Sequence, residues 1–296
     1  GEYGVTTLES MAEAKGVVYE AVHSQGIRVY NMDDPHVAGL SHATESSAIW
    51  TSVVGLSSSI RDHIERGGRA LYVEANELVI AEDAHRSVLM GVDDIPCAFG
   101  GTARYNVSNA LSAAAMAHAH GIAPGFITAG LRSFGASWRD NPGRGQLTEL
   151  NGVRVMLDFG HNPDGVRALL DVVDGLLESG ESRGRLSVCV GQAGDRSDDD
   201  IFELAQVIHG SRPSKLYLRS MKDYLRGRDE GEVPRLFREA FSEIGVRPDI
   251  VTEVFDELDA LKQAMSWAEP GDLILHLVHL EREPIEAYLS DLGACI

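Results

Sequence analysis

The sequence is poor in cysteine, in uninterrupted apolar stretches and in positive charge. Three cysteines, Cys97, Cys189 and Cys295, are too few and too scattered for a disulfide framework or a thiolate metal site. That usage fits a reducing, cytoplasmic setting. No apolar run reaches the roughly 18 residues that would suggest a membrane span, and the first residues lack the basic-then-apolar order of a secretion signal. Lysine and arginine number 26 against 45 aspartates and glutamates, a formal net charge of −19. Such a surface repels phosphate backbones and anionic lipid, so neither nucleic acid nor a membrane is an expected partner. No Gly-x-x-Gly-Lys-[Ser/Thr] stretch occurs, so the sequence carries no phosphate loop of that type. It begins at Gly1 rather than Met, which raises the expectation that it is a piece of something longer.

What is present suits a globular chain of two α/β domains: 296 residues, 44% hydrophobic and 24% charged. Residues 7–22 carry Leu8, Met11, Val18 and Val22 at helical spacing, and Lys15 falls inside that stripe. A lysine there either snorkels to the rim or is placed for chemistry. A short strand from Gly26 to Asn31 leads to Met32-Asp33-Asp34-Pro35, polar residues at a strand end where α/β sheets keep ligands. Strands at 48–54, 70–74 and 78–81, with a brief helix at 59–66, suggest an antiparallel insertion or edge. Gly100-Gly101 opens a small-residue helix running to His120, on which Asn106 and Asn109 share a face. Two amides near a glycine turn could read a purine edge, since an amide both donates and accepts, or could cap the helix and pair with backbone. A second helix spans 123–134. The polar linker from Gly135 to Gly145 is the best boundary, which divides the chain into 1–143 and 144–296.

After Gln146 strands and helices alternate. Strands fall at 153–158, 186–190, 215–218, 250–254 and 272–277, and helices near 164–178, 199–209, 232–244, 256–267 and 284–292. The pattern predicts a parallel, doubly wound sheet covered on both faces. The loops Asp158–Pro163 and Gly191–Arg196 then share one rim. Asp198-Asp199-Asp200 reads as a helix-capping turn rather than a metal cluster, His276 and His279 as strand-end residues, and Ser220–Gly231 as an exposed insertion. The expected active site is the seam between the domains, where Pro142-Gly143-Arg144 precedes Asp158-Phe159-Gly160-His161-Asn162-Pro163.

The ordered set Lys15, Asn31-x-Asp33-Asp34, Gly101-x4-Asn106-x2-Asn109, Pro142-Gly143-Arg144, Asp158-x-x-His161-Asn162-Pro163 and Gly194-Asp195-Arg196 resembles the Mur ligase family of ATP-dependent amide-bond ligases. With the opening Gly-Glu-Tyr-Gly, Asn-Met-Asp-Asp-Pro at 31–35 and Ile-Arg-Asp-His-Ile-Glu-Arg-Gly-Gly at 60–68, the resemblance is greatest to the C-terminal, Mur-like half of cyanophycin synthetases. It covers nearly the whole chain. It implies an α/β protein in which a partial central ATPase domain with a mixed sheet precedes a doubly wound, Rossmann-like C-terminal domain.

The resemblance also implies chemistry. ATP converts a carboxylate to an acyl phosphate that an amine then attacks, with magnesium as the metal. By similarity Asn106 and Asn109 contact adenine, Asp158 the ribose and Arg144 the phosphates, while His161 and Asn162 shape the loop beside the nucleotide. Arg196 lies near the incoming substrate or the transferred phosphoryl group. The family's lysine matching Lys15 can be carbamylated, and Lys15 so modified would help hold magnesium, a modification that desolvation in an apolar stripe would favour by lowering its pKa. The implied partners are arginine, an aspartate-containing acceptor, the missing N-terminal domains of a parent chain and further copies of the chain. The family's phosphate loop and nearby metal-binding residues precede the start of this sequence, so the chain alone is expected to be a poor catalyst. Two alternatives stand beside this reading: another Mur-type ligase, of folate polyglutamylation or peptidoglycan precursors, and a degenerate, non-catalytic binding or scaffolding protein.

Overall fold

The computed structural model describes residues 5, 7–41, 47–82, 85–135, 137–178 and 183–294. Gly1–Gly4 and Cys295, named above, lie outside them. The chain divides into two compact units, Gly1–Ala136 and Ser137–Ile296.

The first unit contains α1 (Leu8–Glu20), β1 (Arg28–Asn31), α2 (Pro35–Ser41), β2 (Ala48–Ser52), α3 (Ser58–Glu65), β3 (Arg69–Glu74), β4 (Glu77–Glu82), β5 (His85–Gly91), α4 (Arg104–Ala119) and α5 (Pro124–Ser133). Its sheet runs in the order β1-β2-β3-β4-β5. The expectation of antiparallel pairing from residue 48 is corrected. β2 is parallel to both β1 and β3, and only β3, β4 and β5 run antiparallel. Helix α2 was not foreseen, although its signal stands in the sequence. Asp34 Oδ1 accepts from the His36 and Val37 N–H groups at 2.8 and 3.2 Å, just before Pro35 in the first turn. One core gathers Leu71, Leu78, Ile80, Leu111 and Ala114 under α4 and α5, and another gathers Tyr30, Trp50, Ile60 and Tyr72 with Tyr19, Val37 and Ile64.

Helix α1 forms where expected but does not bury its stripe. Leu8 and Val18 are 72% and 62% exposed, and Met11 and Val17 are exposed as well. The helix is held instead by Gly16, which is buried close to Leu40, and by Tyr19, stacked on Tyr30 with centroids 4.7 Å apart. Lys15 is therefore exposed, not desolvated.

The second unit contains β6 (Gln146–Leu150), β7 (Val153–Asp158), α6 (Pro163–Glu178), β8 (Leu186–Val190), α7 (Asp198–Gly210), β9 (Lys215–Arg219), α8 (Glu232–Glu243), β10 (Val251–Val254), α9 (Glu257–Trp267), β11 (Leu273–Leu277) and α10 (Arg282–Asp291). The sheet order is β10-β9-β8-β11-β7-β6. All pairings are parallel except β6 with β7. That antiparallel edge corrects the all-parallel expectation. Asn151 and Gly152, both at positive φ, make the two-residue turn such a hairpin needs. Strands β8 and β11 are buried along their whole length, as parallel strands covered on both faces are. Leu157, Tyr217, Ile274, Leu261 and Ile285 form the core with α9 and α10. On the other side Val166, Leu169, Leu170, Val173 and Leu177 give α6 a buried stripe at helical spacing.

Candidate active site

Parallel strands bring the loops after β7, β8, β9 and β11 to one rim of the second unit, the end of an α/β sheet where ligands bind. Arg144, Asp158, His161, Asn162 and Arg196 all belong to this unit. Asp158 ends β7, and its Oδ2 accepts the Gly145 N–H at 2.7 Å. The turn is further fixed by Gln146, whose Oε1 accepts from Gly143 N–H at 2.5 Å and whose Nε2 donates to Trp138 O at 2.7 Å. The Pro-Gly-Arg turn is thus tied to the strand end, and the Arg144 guanidinium lies 5.0 Å from the Phe159 ring centroid. Burial raises the Asp158 pKa, opposed by hydrogen bonds from Gly145 and Gly160 and by the Arg144 charge.

Asn162 starts α6, its Oδ1 accepting the Gly165 N–H at 2.8 Å. Its neighbour His161 faces a cavity of about 200 Å³ that is also lined by Phe159, Gln192, Arg196, Arg226 and His279. Gln192, which is 4% exposed, donates through Nε2 to the His161 carbonyl at 3.2 Å.

The glycines of the Gly191–Arg196 loop have steric reasons. A Cβ on Gly194 would sit 1.9 Å from the Leu225 carbonyl oxygen, and one on Gly191 would sit 2.7 Å from Arg219 Cγ. The segment Ser220–Gly231, expected as an exposed insertion, interlocks with this loop. Gly194 N–H donates to Tyr224 O at 2.9 Å, and Arg228 donates to the carbonyls of Gly194 and Arg196 at 2.9 and 2.6 Å. Arg228 also pairs with Asp198 and Glu232. Ser197 and Asp200 form a capping box on α7, which accounts for the acidic turn.

The remaining expected residues belong to the first unit. Asn106 Nδ2 donates to Cys97 O at 2.7 Å, so that amide is engaged with backbone, while Asn109 is exposed and meets only Asn106 Oδ1, at 3.4 Å, among the hydrogen bonds described. Asp33 accepts from Ser52 Oγ and Val53 N–H at 2.6 and 2.7 Å, joining the ends of β1 and β2. Among the described residues no group of three or more His, Cys, Asp or Glu side chains is placed to hold a metal ion. With Lys15 exposed, the described residues do not fit a metal centre.

Sequence reasoning missed Gln192, Arg219, Arg228 and Glu257, single residues without a local pattern. Arg219 and Glu257, 1% and 2% exposed, form an ion pair at 2.7 Å.

Residues 143–277 match the Mur ligase, glutamate ligase domain. The chain is 30% identical over 274 residues to the cyanophycin synthetase of Nostoc sp. and 31% identical over 272 residues to that of Synechocystis sp.. Each alignment covers 92% of this chain but only 29% and 30% of the relative, so the chain spans about a third of their length. The fold is that of solved Mur-type ligases. E. coli FolC in complex with DHPP and ADP superposes with a TM-score of 0.64 at 17% identity, covering 97% of this chain and 59% of that one. The Acinetobacter baumannii UDP-N-acetylmuramoylalanyl-D-glutamyl-2,6-diaminopimelate–D-alanyl-D-alanyl ligase gives 0.58 at 16% identity, covering 97% and 56%.

Proposed function

Because residues 143–277 belong to the Mur ligase family and the chain is homologous to cyanophycin synthetases over 92% of its length, we propose that it is the part of an ATP-dependent carbon–nitrogen ligase that joins arginine to an aspartate β-carboxylate. The observation that carries this reading is the rim of the second unit, where Arg196 and His161 line one cavity beside the anchored Asp158.

An amine does not displace hydroxide from a carboxylate at neutral pH, so the carboxylate is activated by ATP before the amine attacks. Positioning and charge neutralisation do most of that work. In this reading Asp158 holds the ribose and Arg144 the phosphates. Arg196 neutralises charge developing next to the amine, while His161 and Asn162 shape the loop. Magnesium accompanies the phosphates. The described residues supply no complete ligand set for it.

Calorimetric titration of ATP with magnesium into the chain tests the reading. Binding should weaken roughly tenfold in Asp158→Ala, about the worth of one charged hydrogen bond. Asp158→Asn separates the two duties of the carboxylate, since its amide oxygen still accepts from Gly145. Absence of ATP binding to the unaltered chain would remove the proposal for this polypeptide.

A further inference from the structure

Arg219 closes β9, and its side chain crosses over Gly191 into the unit's interior. Its Nη2 donates to Leu277 O at 3.1 Å and His279 Nδ1 at 2.5 Å, and lies 2.7 Å from Glu257 Oε1, its ion-pair partner. A guanidinium cannot accept a hydrogen bond, so His279 Nδ1 is the acceptor and the ring proton sits on Nε2. From there it is donated to Gly160 O at 3.2 Å. The Glu257 carboxylate takes three consecutive backbone N–H groups, from His279, Leu280 and Glu281, at 2.8, 3.1 and 2.7 Å. Glu281 in return accepts the Leu258 N–H at 3.0 Å, which clasps the N-termini of α9 and α10 together.

Stability alone does not account for this arrangement. Among the described residues Arg219 Nε and Nη1 are buried without a hydrogen-bond partner, and a buried ion pair is commonly no more stable than well-packed apolar residues of its volume. Geometry accounts for it, because the pair fixes two loops that line the cavity: residues 278–281 directly, and Asp158–Pro163 through His279.

We propose that Arg219 and Glu257 are positioning residues, which act through His279 to hold the loop bearing Phe159 and His161 in register with the cavity that receives the amine substrate. The inference rests on the ligase reading only for the cavity's purpose.

The test compares the full chain with Arg219→Met, Arg219→Lys, Glu257→Gln and His279→Phe. Nitrogen-15 spectra of the histidine rings should show His279 as a single Nε2–H tautomer in the unaltered chain. Arg219→Met should leave a tautomer mixture, which Arg219→Lys partly restores. Amide exchange at Leu280 and Glu281 should accelerate roughly tenfold in Glu257→Gln, corresponding to about 1.4 kcal/mol of lost hydrogen bonding. His279→Phe keeps the ion pair and guards against variants that fail to fold. It should leave Glu281 exchange unchanged while moving the His161 ring resonances. In calorimetric titrations of the full chain, Arg219→Met should weaken arginine binding and leave ATP binding unchanged. A His279 tautomer indifferent to Arg219→Met, together with Glu281 exchange indifferent to Glu257→Gln, overturns the inference whether or not the chain is a ligase. Failure of the ligase reading shows separately, as no ATP binding to the unaltered chain, and the spectroscopic arm still decides.

Discussion

Burial holds two histidines of the second unit neutral. His276 is fully buried and His279 partly so, and burial followed by the positive charge of Arg219 lowers each to about 3. An unfolded histidine titrates near 6.5. Between these values the unfolded chain takes up protons that the folded one refuses, so stability present above about pH 6.5 is lost as pH falls toward about 3. The urea midpoint should therefore be lower at pH 5 than at pH 7.5. Among the described residues neither His276 ring nitrogen has a hydrogen-bond partner, so His276→Leu orphans none of them and should flatten that slope; an unchanged slope would contradict the assignment. Gly194→Ala is a different kind of test. With a Cβ placed 1.9 Å from the Leu225 carbonyl oxygen, one loop must move, and a loss of about 1–3 kcal/mol in a denaturation curve is expected. Residues within short motifs, such as Asp158 and Asn162, stand where their motifs place them, at a strand end and a helix start. Arg219 and Glu257, 38 positions apart, carry no mark until the sheet brings them together.

Among elements, the central strands of the second unit and helices α4 to α10 could be read from periodicity. Edges and connections could not. The β6–β7 hairpin is marked by Asn151-Gly152, yet the short, partly polar run Gln146–Leu150 has no helix-and-strand rhythm to announce it. The stripe on α1 was legible as a helix but not as an exposed one, because periodicity reports a face and not what covers it. The segment 220–231 is mostly exposed, as its polarity suggests, but its contacts were not legible, since Arg228 spends its charge on carbonyls and carboxylates of the neighbouring loop. Arg228→Ala should free both segments at once. Hydrogen exchange should accelerate at Gly194, whose N–H is bonded to Tyr224, while α7 keeps its protection through the Ser197–Asp200 capping box. Faster exchange confined to 225–231 would mean that Arg228 does not couple the loops.

At the scale of the whole molecule, each unit has its own sheet and its own core. The cavity, the Arg219–Glu257 pair, the Gly191–Arg196 loop and the Pro-Gly-Arg turn all fall within Ser137–Ile296. Even the segment before β6 is tied to this unit, through Trp138 Nε1 donating to Glu286 at 3.3 Å and Gln146 donating to the Trp138 carbonyl. A polypeptide of residues 137–296 should consequently fold alone, a size usual for one domain, and unfold in a single cooperative transition. It should also keep the acid-sensitive slope assigned to His276 and His279, because Arg219, the charge that joins burial in lowering both, is part of the same unit. Its His279 ring should retain the Nε2–H tautomer for the same reason. Loss of cooperativity in this fragment, with the full chain cooperative, would show that the second unit depends on residues before 137, and the site would then have to be understood as a property of both units.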